Sequence, residues 1–137
     1  MTEAIKRGFK KGISVTYDLA KIVIPVYILV TFLKYTPLLE AIAKIFQPVM
    51  KIVGLPGEAS IAIVLGYFTN LYAAIGAIVS LNLSAKEITI IAMMLLIAHA
   101  MPMETAVSKR VGVSGIAMVV LRTSLSLLAG VILNITL

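Results

Sequence analysis

The chain has 137 residues, of which 61% are hydrophobic and 13% charged, with a mean hydropathy of +1.08; this is too apolar for a soluble domain and sets the class as an integral membrane protein. Twelve Lys and Arg against six acidic residues leave a net charge of +6, which in so apolar a chain matches anionic lipid headgroups, and no RNA-binding motif or aromatic platform is present to suit nucleic acid. The chain has no cysteine, so disulfides and thiolate metal ligands are excluded.

Residues 1–18 form a basic segment in which Lys6, Arg7, Lys10 and Lys11 favour the cytoplasmic side. Residues 19–137 read as a single membrane-embedded domain. The apolar run Ile22–Leu33 is followed by Lys34 and Tyr35 rather than by a small-x-small cleavage site, so it reads as a retained span, about Leu19 to Tyr35, with Pro25 as a kink position. Asp18 and Lys21, three residues apart, suit an interfacial ion pair.

From Leu38 to Val53, Glu40, Lys44, Gln47 and Lys51 recur at helical spacing while apolar residues fill the rest, which predicts an amphipathic helix. It either lies in the headgroups or forms one arm of a re-entrant hairpin, with Gly54-Leu55-Pro56-Gly57 as the turn and Glu58 in the first turn of the returning helix. The 27 uncharged residues between Glu58 and Lys86 are enough to cross a bilayer. Within them Ala73, Ala74, Gly76 and Ala77 allow close helix packing, and Asn70 is a buried amide in need of partners.

Ser84-Ala85-Lys86-Glu87 has the form of a capping box and starts a further helix. Only 14 residues, Ile88 to Met101, precede Pro102, about 21 Å of helix, which places the break at His99-Ala100-Met101-Pro102-Met103-Glu104-Thr105 inside the membrane. Proline ends or kinks the first helix and suits the first turn of the next, where Glu104 meets the positive end of the helix dipole. Gly112 is the expected stop. The last helix, about Ser114 to Ile135, carries Arg122 some 12 Å inside. A cation at that depth calls for a carboxylate, with Glu104 and Glu58 as the candidates.

Three stretches, Gly54-Leu55-Pro56-Gly57-Glu58-Ala59, Gly66-Tyr67-Phe68-Thr69-Asn70, and His99 to Thr105 followed by Gly112, resemble the nucleoside-recognition, or Gate, domain family over about Ile22 to the C-terminus. Related domains occur in concentrative nucleoside transporters, in the gates of bacterial ferrous-iron transporters and in spore maturation membrane proteins. The resemblance implies transporter-like architecture, and Gly57-Glu58-Ala59 is similar to the glutamate-bearing hairpin tip that helps hold the solute in nucleoside transporters, although Leu55 and Pro56 stand where polar residues are usual. The iron gates carry a cysteine near their break, which this chain lacks.

Taken together, the expectation is an all-α multi-pass protein of the cell membrane, a helical bundle with a re-entrant hairpin and broken helices. It would act as a half-sized transporter that moves or binds a small polar solute, such as a nucleoside or related compound, with a structural or assembly protein as the alternative. Gly57, Glu58, Asn70, His99, Glu104 and Thr105 are the expected solute- or ion-binding residues, and Arg122 the buried charge partner. No metal, cofactor or catalytic residue is expected, since HExxH, nucleophile-elbow and phosphate-loop motifs are absent. Expected partners are membrane lipids, the solute and a second copy in a homodimer, antiparallel because the Lys and Arg bias between the two sides is small, or else a parallel two-fold pair.

Overall fold

A computed structural model describes residues 2–137. Within them the chain forms α1 (Thr2–Leu33), α2 (Pro37–Ile52), a 3-10 turn (Gly57–Ala59), α3 (Ser60–Phe68), α4 (Leu71–Ser80), α5 (Ala85–Ala98), α6 (Met101–Arg110) and α7 (Gly115–Thr136), with no strand among the described residues. Three stretches are long and apolar enough to span a bilayer: α1, α5 with α6, and α7; α2 and the 3-10/α3 segment form a fourth pair bent by 98°. The result is the all-α, multi-pass membrane protein expected from composition.

Local chemistry sets most boundaries. Pro37 occupies the first turn of α2, where a missing N–H is harmless. Ser84 and Glu87 make the expected reciprocal capping box at α5. Gly112 at φ +85° closes α6, and Gly54 at φ +73° turns the chain between α2 and α3. α1 runs unbroken through the basic segment into the span, past Pro25, and the Asp18–Lys21 pair forms at 3.3 Å.

One element departs from the sequence reading. The stretch from Glu58 to Lys86 is not one crossing helix: it breaks at Thr69–Asn70, and α3 and α4 fold back on each other. A methyl group on Gly66 would come within 3.1 Å of the Ala74 Cβ eight residues on, a separation of about 12 Å in a continuous helix. The physical cause lies at Asn70. Its backbone is extended and its side-chain oxygen accepts the Ala73 N–H at 2.9 Å, so the residue read as a buried amide is the N-cap of α4.

The core gathers where α5, α3 and the α2–α3 turn meet α7, around Ile90, Ile91, Met94 and Leu95. α5 and α7 run antiparallel. Lys86 Nζ donates to Asn134 O at one end, Ser126 Oγ to Met94 O in the middle and Arg122 Nε to Ile97 O further along. The α2–α3 turn belongs to the Asn134 end, since Gly54 lies against the Asn134 side chain and Val53 against Gly130.

Candidate functional site

The α5–α6 break is built from a helix that runs out of backbone donors. Pro102 cannot offer an N–H to Ala98 O, and the chain leaves the helix at His99 before turning through Ala100 in the left-handed region, φ +46° and ψ +40°. The exposed polar groups are then taken up from three directions. Arg122 Nε donates to Ile97 O at 2.7 Å, His99 Nδ1 donates to Leu95 O at 3.0 Å, and Ala100 N donates to Gly66 O on α3 at 2.9 Å.

Glu104, in the first turn of α6, forms an ion pair with Arg122 Nη1, and its other carboxylate oxygen lies 3.6 Å from His99 Nε2. One guanidinium therefore sits on the negative end of α5 while paired with the carboxylate at the positive end of α6, so both helix ends and the buried cation are compensated together. Because a carbonyl only accepts, His99 Nδ1 is the donor to Leu95 O, and Nε2 is the atom turned to Glu104. Below this cluster Tyr67 on α3 bonds Ser126 on α7, whose hydroxyl passes the contact on to Met94 O. Nothing in the composition singled out Tyr67 and Ser126; the signal available was the i, i+4 spacing of Arg122 and Ser126 on one face of the last helix.

Of the residues read as a solute site, the structure thus brings together His99 and Glu104, with Arg122, the expected buried charge partner, paired to Glu104. Thr105 lies one residue on and lines a cavity of about 600 Å³ between α2, α3, α5, α6 and α7. Glu58 is exposed in the 3-10 turn and is not the partner of Arg122, because that turn lies towards the Asn134 end of α7 whereas Arg122 meets the break. Gly57 is buried against Ala43 and Gln47 of α2, and Asn70 caps α4. No group of three or more His, Cys, Asp or Glu able to hold a metal occurs among the described residues.

The left-handed Ala100 gives a direct test of the break. A Cβ in this conformation costs about 1 kcal/mol that glycine does not incur. Ala100→Gly is expected to raise unfolding stability by several tenths to about 1 kcal/mol in denaturant titration; a loss instead would show that Ala100 packing outweighs its backbone strain.

Comparison with known proteins agrees with this architecture. The family model described as Gate, nucleoside recognition, matches residues 16–117. A Bacillus subtilis (strain 168) protein called uncharacterized membrane protein YvoD is 36% identical over 135 residues, which take in 98% of this chain and 43% of the relative. The chain therefore spans less than half the length of that relative. No solved structure matches the chain.

Proposed function

From the premise that this chain belongs to the Gate, or nucleoside-recognition, family, we propose that it is a half-sized, non-catalytic membrane transporter that binds or moves a small polar solute, a nucleoside or related compound among the candidates. The observation that carries the reading is the meeting of two helix breaks. The α3–α4 turn and the α5–α6 break are joined by Ala100 N to Gly66 O, and a cavity opens beside them. Secondary transporters place broken helices and their exposed termini around a mid-depth site in this way. In this reading the hairpin expected about Gly54–Gly57, whose arms α2 and the 3-10/α3 segment are bent by 98°, is continued by a second one, α3–α4, entering near Glu58, turning at Asn70 and returning to Lys86, with His99, Glu104, Thr105 and Arg122 on the facing break. Gly57 and Glu58 then belong to its rim.

The same reading calls for a partner. Transporter folds use two inverted units about the site, and 57% of the B. subtilis relative lies beyond the aligned share. A homodimer, antiparallel or parallel, supplies the second unit, with lipids around it. A mass in mild detergent twice that of the chain, and C-terminal reporters on both sides of the membrane, are expected for the antiparallel form; a reporter on one side only selects the parallel form, and a monomeric mass removes the dimer.

One observation favours the assembly reading instead. Asn70 is satisfied by its own helix, and Glu104 with Arg122 by each other, so the polar groups do not need a solute to complete them. Uptake of labelled solutes into liposomes containing the purified protein separates the two. Saturable uptake is expected for a transporter, and none above empty liposomes for nucleosides, small acids and metal ions alike would leave the scaffold.

A further inference from the structure

The cavity beside the break is walled almost wholly by apolar side chains, and its volume of about 600 Å³ falls in the range of small-molecule sites. Two features distinguish it from a face made only for lipid tails. Lys109 is the one charged residue lining it and has no ion pair among the described residues. Lys109 is exposed, but its stem lies against α7, where a methyl group on Gly115 would collide with the Lys109 side chain and with Thr105. The second feature is Ser60, which lines the cavity, is 1% exposed, and has a hydroxyl with no hydrogen-bond partner. The other buried serines, Ser80 and Ser126, donate to Ala77 O and Met94 O. A buried hydroxyl left unmatched is a destabilising feature that a bound acceptor or donor would remove.

These two groups mark opposite ends. Val119, Thr123 and Leu127 line the cavity from one face of α7, a run of about 12 Å. Lys109 belongs to the Val119 end, because Gly115 meets it while Thr123 approaches Met101, eight residues earlier on α6. Ser60 opens α3 just after the turn that packs on Gly130 and Asn134, which places it towards the Leu127 end. An extended chain advances about 1.2 Å per bond, a third of the rise of an extended residue, so about 12 Å corresponds to roughly ten bonds.

We propose that this cavity binds an elongated organic acid, apolar along its length, whose carboxylate meets Lys109 and whose far end carries a hydroxyl or carbonyl that pairs with the Ser60 hydroxyl. The assignment narrows the solute of the transport reading and rests on that reading only for the claim that such an acid is carried; occupancy of the site stands separately.

The test uses the full chain in neutral-lipid nanodiscs and equilibrium binding of radiolabelled decanoate, 10-hydroxydecanoate and 1-decanol, with uptake by empty discs subtracted. Binding is expected to weaken from the hydroxy acid to the acid to the alcohol. Lys109→Gln should weaken both acids about tenfold and leave the alcohol unchanged, as expected for loss of one charge-assisted contact. Ser60→Ala should abolish only the advantage of the hydroxy acid, and Val64→Trp, which fills the cavity, should abolish all three in a chain of unchanged helicity and mass. Equal binding of decanoate and decanol to the wild-type chain, or an acid preference that survives Lys109→Gln, overturns the proposal. Vesicle uptake separates it from transport. Probe binding without flux overturns the carrier reading and keeps the site, whereas flux of another solute by a chain that binds no probe does the reverse.

Discussion

Arg122→Leu should lower unfolding stability by about 3 kcal/mol or more, in the range set by removing one member of a buried ion pair and one donor to a buried carbonyl. The Arg122 side chain is 17% exposed and that of Glu104 36%, so the lost charge leaves a carboxylate that water reaches only in part. The loss has a second component at the backbone, since Ile97 O gives up its 2.7 Å donor at the C-terminal end of α5. Glu104→Gln alone should be milder, because an amide still accepts from the guanidinium. In the double variant the neutral amide faces leucine, and stability should recover partway towards the wild-type value. Strictly additive losses in this double-mutant cycle, measured by denaturant titration in detergent, would show that the two residues act independently. Arg122→Lys is a useful third arm. An ammonium keeps the charge but cannot serve Ile97 O and Glu104 through one planar fork, so it should recover less than half of the loss.

This pair shows what was legible in the chain before its structure. A cation some 12 Å inside an apolar helix has few ways to exist in lipid, and the proline at residue 102 places an acid where a helix begins; chemistry alone narrowed the partner to Glu104 or Glu58. What decided between them is tertiary. The 98° bend between α2 and α3 carries Glu58 to the far end of α7, and no local pattern encodes that angle. Asn70 illustrates the opposite limit. An N-cap residue is recognisable when a change of composition accompanies it, as at Ser84-Ala85-Lys86-Glu87, but Thr69-Asn70 lies in an unbroken apolar run that is equally consistent with one long span. The cavity was illegible for another reason. Its walls come from five helices, most contributing residues that look like ordinary lipid-facing positions until α2 and α3 are folded against α5, α6 and α7. Lys109 likewise reads as a boundary residue of a short polar helix, and only the approach of its stem to Gly115 shows that it borders the cavity.

Gly57→Val should be the second large effect, and it separates a packing role for the Gly57-Glu58-Ala59 turn from a solute-binding one. Gly57 is buried, and a Cβ there would run into the carbonyl oxygen of Ala43 and within 2.6 Å of Gln47 Oε1. The glutamine can move; the carbonyl belongs to the backbone of α2 and cannot shift without the helix. Overpacking of this kind costs about 1–3 kcal/mol, and the upper end is expected because valine adds two further methyl groups against a rigid neighbour. The displacement also reaches the cavity, since Phe46, Val49 and Met50 of α2 line it opposite α3. Binding of decanoate should therefore fall along with the unfolding midpoint, although residue 57 itself does not line the cavity. Glu58→Gln provides the contrast. That side chain is exposed and forms no ion pair among the described residues, so its stability change should stay within about 0.5 kcal/mol and probe binding should be unaltered. If Glu58→Gln instead abolished binding while Gly57→Ala left both stability and binding untouched, the turn would be the solute-holding tip that its resemblance to nucleoside transporters implies, and the packing role assigned to Gly57 would be wrong.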